Sequence, residues 1–197
     1  MRAPMLLEMR RSPLLLCALL ACFVVPAAVL PASSTAATKV EQRDGTFEQG
    51  VLREVNRLRV GRGLRALTVS TALQSAAGFQ SRDMLERGYF DHDQPGGASF
   101  GARLKRFYPV TGATWLVGEN LLWSSEGISP AAAVKLWLTS PPHRRNLFDA
   151  TWREVGTGAY NTPTPTGAFA EANGPVVVLT MDFGTRGVPR ATASTQR

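Results

Sequence analysis

The chain has 197 residues, 44% of them hydrophobic, two cysteines and a formal net charge of +7. An apolar run from Leu14 to Val25 follows Arg2, Arg10 and Arg11 and is shorter than the roughly 18–20 residues that span a bilayer, so it reads as a secretory signal. With cleavage between Ala28 and Ala37, the expected division is a signal peptide over 1–37, a linker over 38–45, one domain over 46–185 and a disordered tail over 186–197.

Cys17 and Cys22 both lie inside the apolar run. A processed chain therefore has no cysteine, which excludes disulfides, thiol catalysis and cysteine-bound zinc. Secretion is the expected fate. Leu19-Leu20-Ala21-Cys22 keeps lipid anchoring open, and a retained N-terminal membrane anchor is the other alternative. From residue 38 onward 19 basic residues face 14 acidic ones, a scattered excess of +5. No basic cluster with interleaved aromatics appears, so nucleic acid is excluded as a partner. Arg57 and Arg59 with Arg62 and Arg65, the stretch Arg103 to Arg106, and Arg144-Arg145 read as solvated helix faces or ends. They leave room for a loose attraction to anionic envelope polymers.

Phe47, Val51, Val55 and Leu58 recur at spacings of four, four and three, which predicts a helix ending at Gly61 or Gly63. A second helix starts after Ser70 or Thr71, carries Leu73, Ala76, Ala77, Gln80 and Met84, and stops at Gly88. The segment from Tyr89 to Gly97 is turn chemistry and sets His92 on a loop. A short helix with Phe100, Leu104 and Phe107 precedes a loop that runs to Gly118-Glu119-Asn120. Ser129 and Pro130 open a further helix with Val134, Trp137 and Leu138, which Pro141-Pro142 end. Glu154 to Tyr160 and Pro175 to Phe183 read as two strands of an antiparallel hairpin. Helices followed by strands predict an α+β domain.

Two histidines could hold a divalent metal through neutral ring nitrogens, with a carboxylate to orient one ring or take a proton. His92 and His143 are far apart in the chain, so only tertiary structure brings them together. Each candidate also has a plainer reading. His92 caps a turn built by Asp91, Asp93 and Pro95; His143 caps the turn after the prolines; Glu119 accepts backbone bonds in a tight turn; Glu154 is a solvated charge at a strand edge. The four tryptophans read as packing, with Trp123 or Trp152 open to lining a cleft.

Four segments stand in order: Gly88-Tyr89-Phe90-Asp91-His92, Gly118-Glu119-Asn120, Trp137 to Leu147 with its Ser-Pro-Pro-His-Arg-Arg-Asn core, and Glu154-Val155-Gly156-Thr157-Gly158. Together they resemble the bacterial branch of the CAP superfamily, the SCP-like relatives of cysteine-rich secretory proteins, antigen 5 and pathogenesis-related proteins. The resemblance runs from about Phe47 to Gly184. It implies an α-β-α sandwich with a three- or four-stranded antiparallel sheet between helical layers, and an open cleft of histidines and acids. It implies a ligand-binding cleft of His92, Glu119, His143 and Glu154, with His92 and His143 as ligands to zinc or another divalent metal. Ser140 stands where many eukaryotic relatives carry a second cleft glutamate, and Glu154 is the candidate replacement. The implied partner is a lipid-like or cell-envelope ligand, held without catalysis. The alternative is a metal-dependent hydrolase, a peptidase, in which Glu119 acts as base.

Overall fold

A computed structural model describes residues 42–125 and 127–187. The expected signal peptide, its cysteines, residues 38–41 of the expected linker and residues 188–197 of the expected tail lie outside the described residues. Within them, Gln42–Arg43 form β1 and pair with β4, so the fold takes in part of the linker stretch. Arg43 is fixed by Glu48, which it contacts through Nε at 2.8 Å and Nη2 at 3.0 Å. The other Glu48 bond, from the Ala159 amide at 2.9 Å, satisfies an edge of the sheet.

The elements that follow are α1 (Gly45–Val60), β2 (Thr68–Val69), α2 (Thr71–Arg87), α3 (Phe100–Phe107), β3 (Thr114–Ser125), α4 (Pro130–Thr139), α5 (Pro141–Phe148), β4 (Glu154–Thr162) and β5 (Val176–Gly187). The sheet runs β1-β4-β5-β3, with β2 also on β4. All pairings are antiparallel except that of the two-residue β2. The five strands include two that are only two residues long, which accounts for the excess over the three or four expected.

Alternation along β5 sorts the two helical layers. Val177, Leu179, Met181 and Phe183 join Val51, Val55, Trp137 and Leu147 in a core under α1, α4 and α5. Val176 and Val178 face Met84 and Leu85 of α2 on the other side. Thr180, Asp182 and Gly184 continue that second face. There Ser81 of α2 donates to the Gly158 carbonyl at 2.8 Å and meets the Thr180 hydroxyl at 2.8 Å. A Cβ on Gly156 would lie 2.0 Å from the Leu73 backbone, and one on Gly158 would lie 2.3 Å from that of Gly78. The Gly-x-Gly of β4 is therefore what lets α2 lie directly on the sheet.

Two expectations are corrected. The stretch around Gly118-Glu119-Asn120 is not a loop with a tight turn but the middle of β3, paired with β5 over its whole length from Thr114↔Gly187 to Ser125↔Val176. Pro141 and Pro142 do end α4, yet they also open α5, occupying first-turn positions where a missing N–H costs nothing. Arg186 and Gly187, the first two residues of the expected tail, pair with Trp115 and Thr114.

Candidate functional site

His92 leaves α2 through a fixed turn. Gly88 closes the helix with φ +67°, a left-handed conformation that glycine adopts without strain. The buried Gln80 amide then donates to the Asp91 carbonyl at 2.8 Å, and the Asp93 amide donates to Asp91 at 3.0 Å. The His92 Nδ1 consequently sits 2.7 Å from Glu119 Oε1. The ion-paired carboxylate accepts, so Nδ1 carries the proton and Nε2 is left available.

Glu119 faces the α2–α3 layer from β3, directly across the ladder from Asp182 on β5. Its Oε2 is 2.5 Å from Arg103 Nη2 on α3, and both side chains are 1% exposed. Arg103 Nη1 lies 3.5 Å from Asp182 Oδ2. Among the described residues neither Asp182 oxygen has a hydrogen-bond partner. Burial, reinforced by the Glu119 charge, pushes the Asp182 carboxyl well above the usual carboxylate range, while Arg103 opposes the shift. The Glu119 hydrogen bond raises the His92 pKa against the opposing effect of burial.

His143 comes from the opposite helical layer, in the first turn of α5. Burial lowers its pKa, and the charge of His92 lowers it further. The neutral imidazole is the form that binds metal. The Asn120 amide donates to the His143 carbonyl at 3.1 Å, and Asn146 donates to the Glu119 carbonyl and to Asn120 Oδ1, each at 3.0 Å. These asparagines lock α5 onto β3.

Beside His143 lies a cavity of about 310 Å³ whose walls include Phe90, Trp123, Leu136, Trp137 and Ser140. Trp123 is 37% exposed and Leu136 48% exposed, so its mouth is apolar and open. A larger cavity of about 600 Å³ runs along α1 and β2 and contains none of the expected site residues.

The structure joins His92 and Glu119 directly and ties the His143 backbone to Asn120, the next residue along β3. It does not bring Glu154 into that network. Glu154 accepts a short hydrogen bond from the Tyr108 hydroxyl and lies 3.6 Å from Arg186 Nε. Trp152 is packed rather than cleft-lining: it stacks on Phe183 and donates to the Asn146 carbonyl at 3.0 Å.

For a metal, the available donors are His92 Nε2 and the His143 ring. Both Glu119 oxygens are spent internally. Among the described residues no three His, Cys, Asp or Glu side chains are grouped to hold an ion. The donors present do not fit a closed set of protein ligands, which leaves two imidazoles as the donor chemistry on offer.

Arg103 and Asp182 were not among the expected site residues, and Arg103 is a correction: it is buried, not part of a solvated face. Its signal was its place three residues past Phe100 and one before Leu104, on the apolar stripe of α3. Arg59 is the same correction on α1. It lies four residues past Val55 and is wholly buried.

Comparison with known proteins agrees with this architecture. A family described as "CAP: Cysteine-rich secretory protein family" matches residues 52–183. Two Bacillus subtilis (strain 168) proteins, YkwD and the membrane protein YlbC, are each 30% identical over 113 residues. That alignment is 57% of this chain but 42% and 31% of theirs, so the chain spans less than half of either relative. An extracellular protein of Bacillus anthracis containing an SCP domain superposes with a TM-score of 0.54 at 26% identity, over 72% of this chain and 41% of that one. An outer surface protein of Borrelia burgdorferi shares the fold with a TM-score of 0.57 at 21% identity, over 75% of this chain and all of its own. With the family matched from α1 to β5, this chain belongs to the CAP, or cysteine-rich secretory protein, family.

Proposed function

We propose that the protein is an extracellular, non-enzymatic binding module. Its cleft at the β3 edge holds a divalent metal on His92 and His143 and takes a lipid-like or envelope-derived ligand in the adjoining apolar cavity. Export through a signal at 1–37 is part of the same reading. The extracellular SCP-domain protein and the outer surface protein among its structural relatives support it. Among the described residues no helix is long and apolar enough to cross a membrane.

The observation that carries the reading is the state of Glu119. A general base needs a carboxylate oxygen within reach of a proton on substrate or water. Glu119 gives Oε1 to His92 and Oε2 to Arg103 and is 1% exposed. It is therefore placed to orient His92, leaving Nε2 outward for a ligand. Bound to the two imidazoles, a metal would supply a positive centre at the cavity mouth. The cavity walls exclude water from an alkyl chain, and Ser140 and His143 offer polar groups at its rim.

Zinc titration by calorimetry tests the reading, with His92→Ala/His143→Ala as the comparison. The expected result is about one zinc per wild-type chain and none on the double variant. A fluorescent fatty acid should bind the wild type and bind Leu136→Glu at least about tenfold more weakly, because the substitution sets a charge in the apolar mouth. Chelator-sensitive peptide hydrolysis, lost in Glu119→Gln while the variant stays folded, would overturn the non-enzymatic reading in favour of the hydrolase.

A further inference from the structure

A second site lies at the corner where α1 ends against α5. Arg144, Arg145 and Phe148 are spaced so that they share one face of α5. Opposite stands Arg62, just beyond α1, with its Cζ 4.1 Å from the centre of the Phe148 ring. These four residues line a cavity of about 450 Å³. All three arginines are exposed.

Three exposed arginines on the helices have carboxylate partners one helical turn away, Arg57 with Glu54, Arg82 with Glu86 and Arg87 with Asp83, whereas exposed Arg53, Arg65, Arg106 and Arg153 have no ion pair among the described residues and do not share one cavity with one another. Among the described residues, Arg62, Arg144 and Arg145 have no ion pair. The Arg62 guanidinium donates only to the Leu58 carbonyl, at 3.3 Å. The corner is also set before any ligand arrives. Arg59, wholly buried, donates from Nη1 to the carbonyls of Leu147 at 2.7 Å and Asp149 at 3.1 Å, and from Nε to that of Arg65 at 3.0 Å. It ties α1, the turn after it and α5 together, and its hydrogen bonds go to carbonyl oxygens alone. Asp149, whose charge acts on Arg59, turns Oδ1 to the Thr151 amide and hydroxyl.

We propose that this cleft binds a phosphate-bearing polyanion, a linear chain of phosphoryl groups. Guanidinium forks bind phosphoryl oxygens in pairs, and three forks around one depression match successive groups of a chain better than a single small anion. The concavity favours a polymer over a bilayer. A membrane surface cannot enter a depression, and none of the exposed large apolar residues lines it.

The test is calorimetric titration with inorganic polyphosphate at an ionic strength of about 0.15 M, where loose surface attraction is largely screened. Arg62→Gln/Arg144→Gln/Arg145→Gln is compared with Arg53→Gln/Arg57→Gln/Arg106→Gln, which removes the same charge from other exposed positions. The cleft variant should lose at least about tenfold in affinity and the control less than about threefold. Should the triple variant fold poorly, Arg144→Gln/Arg145→Gln leaves the Arg62–Phe148 stack in place and carries the comparison. Equal losses in both triple variants, or no polyphosphate binding by the wild type, overturn the proposal. Binding of phosphatidylglycerol vesicles without polyphosphate binding overturns it in favour of a membrane partner.

Discussion

Arg103 and Arg59 are both withdrawn from solvent, and the regions around them are built on opposite electrostatic terms. Arg103 stands between two carboxylates, Glu119 and Asp182, and through Glu119 its influence reaches the exposed ring of His92. Arg59 hydrogen-bonds only to carbonyl oxygens and has Asp149 as a charged neighbour without an ion pair, and Arg62, Arg144 and Arg145 outside it have no acidic partner among the described residues. The first region spends its charges on one another, and what it presents to solvent is a histidine with a set tautomer. The second keeps its positive charge free to act outward. The same residue type thus serves as an internal counter-ion in one place and as a frame for a cationic cleft in the other.

The sharpest break of this comparison is to remove each buried guanidinium in turn. Arg103→Met leaves buried Glu119 with only the half-exposed His92 ring beside it and Asp182 facing it across the ladder, a loss of about 3–5 kcal/mol. Arg59→Met leaves carbonyl oxygens without donors, about 1–3 kcal/mol. Urea denaturation of the two variants at neutral pH gives the ordering. If Arg59→Met proves the more damaging, the two arginines are equivalent structural clamps and the electrostatic contrast fails.

How much of this was legible in the chain divides along physical lines. Helices α1 to α4 announce themselves because one face of each is apolar at helical spacing or begins with a capping serine, β4 because its short run lies between turn-rich segments, and β5 because Val176 to Leu179 is an unbroken apolar run rich in β-branched residues. The strand β3 is hidden. Trp-Leu-Val-Gly-Glu-Asn-Leu-Leu-Trp does not alternate cleanly, because both faces of the sheet are covered, and its Gly-Glu-Asn centre has the composition of a turn. Helix α5 is hidden by the prolines that also terminate α4. His92, Glu119 and His143 could be singled out through the resemblance to relatives but not through spacing, since tertiary packing alone assembles them. Asp182 sat in the open: an acid within Val-Val-Val-Leu-Thr-Met-Asp-Phe, all buried, needs an unusual environment. Arg103, on the apolar stripe of α3, is the residue that supplies one.

A smaller effect separates charge from shape inside the first region. Asp182 has its pKa raised from 3.8 by burial and by Glu119, so folding favours its protonated form. Such a group contributes stability in full below the unfolded value and loses it as pH rises through the folded one. Asp182→Asn keeps the shape and stays neutral, so at neutral pH it should be no more than about 1 kcal/mol less stable than wild type, and its stability should fall less between acid and neutral pH. Urea midpoints at several pH values give the two slopes. A loss as large as that of Arg103→Met would mean that Asp182 is held as an anion by Arg103.

The smallest effect lies at the exposed end of the network. The pKa of His92 is raised above 6.5 first by its hydrogen bond to Glu119, then by the charges of Glu119 and Asp91, while burial and Arg103 act against them. The carboxylates therefore win over the arginine at this ring. The stabilisation from protonating His92 is fully present below pH 6.5 and disappears as pH rises through the higher folded value. With the side chain 51% exposed, solvent screening holds that contribution below about 1 kcal/mol. NMR titration of the two histidines reads it directly, with His92 expected above and His143 below the ordinary imidazole value. Protons compete with a metal at His92 on acidification, whereas arginines keep their charge at any ordinary pH. Zinc binding should weaken as pH falls towards 5.5, about one unit below the ordinary histidine value, while polyphosphate binding holds steady. Parallel loss of both would show that the two regions are not electrostatically separate.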